Sequence, residues 1–91
     1  MVESDKYEFF FERIQTDARI GMAHIAVFTA VYSLWIKSSF DDELKVFPND
    51  ITSIAKVSNR TYYRTIIELS EYGYLLYEPS FKRKGSRVIF N

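Results

Sequence analysis

Between Asn59 and Tyr72 the apolar residues Tyr62, Ile66 and Leu69 recur at i, i+4 and i+7, the spacing of one buried helix face. Asn59, Arg60, Thr61, Tyr63, Arg64 and Ile67 occupy the opposite or flanking positions. Ser58 is a suitable N-cap, and Gly73 is placed to end the helix. Just upstream, residues 50–56 place Ile51, Ile54 and Ala55 inward, which predicts a short helix capped by Asn49. Val57 and Ser58 are left as a tight turn between the two. Downstream, Val88 and Phe90 alternate with Arg87 and Ile89, the period of a half-buried strand. A two-stranded ribbon over 74–78 and 86–91 follows, joined by residues 79–85. Residues 44–47 also alternate and stop at Pro48, which suits a short third strand.

The first half is read in the same way. Tyr7, Phe10, Phe11 and Ile14 fall on one side of a helix over 5–17, with Ser4 as its cap and acids early in it. That stripe suits packing within the chain or dimerisation equally well, because small chains often enlarge their core through a second copy. A second helix, over 21–37, carries Ile25, Phe28, Val31, Tyr32, Trp35 and Ile36 on a wide apolar face, with Ala23, Ala26, Thr29 and Ala30 as smaller positions. A helix this apolar belongs at the centre. Residues 38–43 form a polar loop. The predicted fold is mainly α with a small antiparallel β-sheet: a winged helix-turn-helix with an additional N-terminal helix. Residues 1–19 are the amphipathic helix, for packing or dimerisation, and 20–91 the winged helix-turn-helix domain.

Composition narrows the chemistry. The 91 residues are 47% hydrophobic and 18% aromatic, enough for one core. With no cysteine there is no disulfide, thiolate metal site or cysteine nucleophile, and one histidine excludes a multi-histidine metal site. No apolar run approaches the roughly 20 residues of a membrane span. The acidic start is unlike a signal peptide, so a soluble cytoplasmic protein without a membrane partner is expected. No phosphate loop or acid–base constellation stands out, and neither an enzymatic activity nor a metal or cofactor is expected. The zero net charge hides a division. Residues 1–50 hold nine acids and five bases (−4), whereas 51–91 hold seven bases and three acids (+4). The positive half contains the helix-turn-helix pattern, and a nucleic-acid footprint depends on where charge sits.

The candidate site follows from that overlap. Arg60, Asn59 and Arg64 would read bases, since guanidinium and amide groups pair bidentately with guanine and adenine edges. Thr61, Tyr63 and Lys56 would hold phosphates. Lys82, Arg83 and Lys84 at the ribbon tip, with Arg87 beside them, would grip the backbone. Blander explanations exist for each. The helix arginines could keep an exposed face soluble, Arg64 could pair with Glu68, and edge hairpins carry lysine to prevent aggregation. Tyr63 could be core, the other aromatics are core rather than a ligand cage, and His24 reads as a partly buried structural residue.

The run Val57-Ser58-Asn59-Arg60-Thr61-Tyr62-Tyr63-Arg64, then Glu68-Leu69, Gly73-Tyr74-Leu75 and Tyr77-Glu78-Pro79-Ser80, resembles winged-helix domains of small bacterial regulators carried on mobile elements. His24-Ile25 through Trp35 and the closing Gly85-Ser86-Arg87-Val88 match the same pattern, so the resemblance spans residues 21–91. It is looser to MarR-like regulators, through Ser58, Thr61, Arg64, Leu69 and Gly73. Ile67 departs from the pattern, where a polar residue is common, and suggests a protein contact, with the first helix as a candidate. The resemblance implies binding of double-stranded DNA by a recognition helix over 59–72 in the major groove, with the wing over 79–86 on the backbone, as in a transcriptional regulator. It does not extend to the N-terminal helix, whose homodimer is expected from its apolar stripe alone. The alternative is a winged-helix protein-interaction module in a replication or recombination complex, favoured by the acidic first half and Ile67.

Overall fold

The computed structural model describes residues 2–80 and 85–90, with side chains from Tyr7 onward. Along the chain run α1 (Val2–Ile14), α2 (Met22–Lys37), β1 (Leu44–Val46), α3 (Pro48–Ala55), α4 (Asn59–Glu71), β2 (Leu76–Glu78) and β3 (Ser86–Ile89). The fold is mainly α with a small antiparallel sheet, in the order of a winged helix-turn-helix preceded by an extra helix.

The apolar surface of α2 dictates its place. Val27, Phe28, Ala30, Val31, Tyr32 and Trp35 are all buried, and the helix packs against both α3 and α4. Ile36 departs from the expected stripe and is 48% exposed. One residue past Trp35 it has turned about 100° away, onto the flank of the last turn. Tyr62, Ile66 and Leu69 of α4 fill the other side of the core together with Ile51 of α3. The sheet closes one end in the order β1-β3-β2, with Leu44 opposite Val88 and Tyr77 opposite Val88 on its other side. Lys45 points out between the buried Leu44 and Val46, as the alternation requires.

Helix α1 belongs to the same core. Phe10 is 2% exposed, with its ring stacked on Phe28 at 3.8 Å between centroids and set edge-on to Tyr74 at 5.2 Å. Tyr7 stacks on Tyr32 at 4.7 Å, and its hydroxyl pairs with Thr29 Oγ1 at 3.1 Å. Internal packing therefore uses Tyr7 and Phe10, whereas Phe9 and Phe11 stay exposed.

Two helix starts differ from expectation. Helix α1 begins at Val2, so Ser4 lies inside it and is not its cap. Helix α3 begins at Pro48, after an extended Phe47, so Asn49 is already helical. Proline's fixed φ suits the first helical position, which moves the start one residue upstream of a plausible cap. By contrast Ser58 caps α4 as expected, accepting from Thr61 N–H at 3.2 Å, and Gly73 follows the helix with φ 86°. No helix among the described residues is long and apolar enough to cross a membrane.

Candidate nucleic-acid interface

Opposite faces of α4 have opposite duties. Tyr62, Ile66 and Leu69 are almost wholly buried, and Thr65 is fully buried between them. Burial, and then the neighbouring phenols of Tyr77 and Tyr63, push the Tyr62 hydroxyl up, so no charge develops behind this face. At 100° per residue, Arg60, Tyr63, Arg64, Ile67 and Glu71 fall within an arc of about 100° on the far side. All five are exposed. Among the described residues neither Arg60 nor Arg64 is paired with a carboxylate. The alternative pairing of Arg64 with Glu68 is not formed. Glu68 turns to α2, where its Oε1 lies 2.8 Å from His24 Nε2. His24 Nδ1 accepts from Gly21 N–H at 2.9 Å, so Nε2 carries the proton and donates to Glu68. His24 is thus a structural link between α2 and α4, and Glu68 is drawn away from Arg64.

The first turn of α4 is arranged to meet an acceptor. Tyr62 N–H is taken by the Ser58 carbonyl and Thr61 N–H by the Ser58 hydroxyl. Among the described residues the amides of Asn59 and Arg60 remain open, and Asn59 itself is exposed. Ser58 Oγ donates to Thr61 Oγ1 at 3.1 Å, which leaves the half-buried Thr61 hydroxyl its own proton to donate. Lys56 closes α3 in the left-handed region, φ 61°, and stands exposed just before that turn.

No family model matches this chain. Nor does any curated protein or solved structure.

The wing is more mixed in charge. Lys82, Arg83 and Lys84 lie outside the described residues. Arg87 is half-buried in the middle strand, with Nη1 3.4 Å from Glu78 and Nη2 3.8 Å from Glu43. The strand register sets Glu78 directly opposite Arg87, so this cation is largely answered inside the sheet. Those two acids gather at Arg87, not over Arg60 and Arg64.

An open groove of about 510 Å³ between α4 and the base of the wing was not foreseen. Tyr63, Ile67, Glu71, Tyr77 and Pro79 line it, among others. Ser70 Oγ accepts from Tyr77 N–H at 3.1 Å, and Ser86 Oγ accepts from both Tyr77 Oη and Ser80 N–H at 3.3 Å. The first of these ties the wing base to α4, and the other two join the strands of the wing to each other. Among the described residues none of α1 lines it. The sequence signal was Ile67 itself, an apolar residue on a polar face.

Proposed function

We propose that this chain binds double-stranded DNA, laying α4 in the major groove with the wing against the adjacent backbone. One observation carries the reading: Arg60 and Arg64 stand exposed, and unanswered by carboxylates among the described residues, on the outer face of a helix whose inner face is locked in the core. A helix anchored in this way presents fixed donors, and a guanidinium one turn from another matches successive base edges. Asn59 and Thr61 sit at the same end, and the open amides there favour phosphate. A transcriptional role on a mobile element is proposed on the resemblance of the sequence. A homodimer through α1 is supported by Phe9, 58% exposed on that helix.

Fluorescence anisotropy with mixed-sequence duplexes tests the reading. Affinity should fall steeply with salt, because each neutralised phosphate releases counterions. The double substitution Arg60→Ala/Arg64→Ala should weaken binding by about tenfold or more. Equal affinity of the variant and the parent at low salt would sink it. The rival reading, a protein-interaction module, draws on the neutralisation of Arg87 by Glu43 and Glu78. It predicts no salt-dependent binding to any duplex.

A further inference from the structure

The outer face of α4 is not uniformly polar. Ile67 is 46% exposed and Tyr63 44%, and they adjoin each other one turn apart on the groove between α4 and the wing. Arg60 and Arg64 share their arc of the helix. Apolar surface kept in water beside two cations calls for a partner that is anionic overall and apolar at one point. Duplex DNA fits both conditions. Its backbone supplies the charge, and the major groove displays a single apolar group, the 5-methyl of thymine. Glu71 refines the placement. Its exposed carboxylate, one of the groove's lining groups, repels phosphate, which favours base edges over the backbone at this part of the helix.

We propose that Ile67, with Tyr63 beside it, reads thymine through its 5-methyl group and makes the chain discriminate thymine from uracil. This inference rests on the DNA-binding reading and deepens it, turning the one residue foreign to a polar recognition face into a specificity determinant. Ile67 touches the methyl group and Tyr63 walls the site toward the wing. Arg60 and Arg64 keep the guanine and backbone contacts. Neither Ile67 nor Tyr63 is needed for the core, because the buried stripe runs through Tyr62, Ile66 and Leu69.

The test compares two pools of mixed-sequence duplexes, identical except that one carries uracil in place of thymine. The parent protein should bind the uracil pool about threefold to tenfold more weakly, the loss expected for withdrawing one or two buried methyl contacts. Ile67→Ser should bind both pools alike while keeping the salt dependence of the parent, and Ile67→Val should retain the preference. Circular dichroism checks that each variant is folded. Equal binding of both pools by the parent, with salt dependence intact, overturns thymine reading and leaves DNA binding standing. Absence of salt-dependent binding to either pool overturns both. An Ile67→Ser variant that still prefers thymine overturns the assignment to Ile67.

Discussion

Single residues join segments that the helices alone would leave loosely connected. Asp17 is held by Arg19 through two 2.8 Å bonds to its carboxylate, and Tyr74 Oη donates to it at 2.6 Å. Arg19 in turn lies 4.1 Å above the Tyr72 ring, and Arg13 4.5 Å above that of Tyr74. The Arg19 guanidinium first, and the Tyr74 hydroxyl second, hold the Asp17 carboxyl well below the usual carboxylate range. A depressed folded-state pKa gives stability that is fully present above the unfolded value near 3.9 and is lost as pH falls below it. Asp17→Asn should therefore lower stability at neutral pH and flatten its decline below about pH 4. Urea titrations across pH check both, and an unchanged acid limb would remove the latch from the account.

Elements meet where side chains leave room. Gly85 opens β3 with φ 78°, and a Cβ there would come 3.0 Å from the Val46 carbonyl and 3.1 Å from the Phe47 ring. Both the backbone angle and the space demand glycine. Gly85→Ala should cost about 1–3 kcal/mol in urea denaturation, and it should loosen the wing before α4. Hydrogen exchange would show that order, and equal losses in both elements would contradict it. Sequence reasoning found α4, its Ser58 cap and its Gly73 stop because local spacing alone determines them. It placed the start of α3 two residues late, because Asn49 is a plausible cap and yet Pro48 takes the first helical position after an extended Phe47. It missed the groove and the Arg87 pairs for another reason. Those depend on how β2 and β3 register, and on Glu43, remote from both.

At the scale of the molecule, the charge division legible in the sequence survives folding in part. Among the described residues the arginines of α4 keep no carboxylate partner, whereas Arg87 is met by Glu78 of the adjoining strand and by the distant Glu43. The link from His24 to Glu68 spans 44 residues and has no local signature. Nor could periodicity decide what α1 packs on, because an amphipathic stripe looks the same toward its own chain or a second copy. The burial of Phe10 between Phe28 and Tyr74 answers for that residue. Phe10→Ala should cost about 3–5 kcal/mol, read by urea denaturation, with the duplex affinity of the folded fraction unchanged. A cost below about 1 kcal/mol would mean that α1 is only loosely docked.

The packing around Trp35 has a practical corollary. This indole is the sole tryptophan of the chain, 6% exposed, stacked on Phe90 at 4.7 Å and donating to the Asp41 carbonyl at 3.1 Å. Its emission is an internal gauge of melting, seated in the core and away from the outer surface of α4. Global integrity can thus be followed by excitation of one native chromophore, while occupancy is followed independently through a dye on the oligonucleotide.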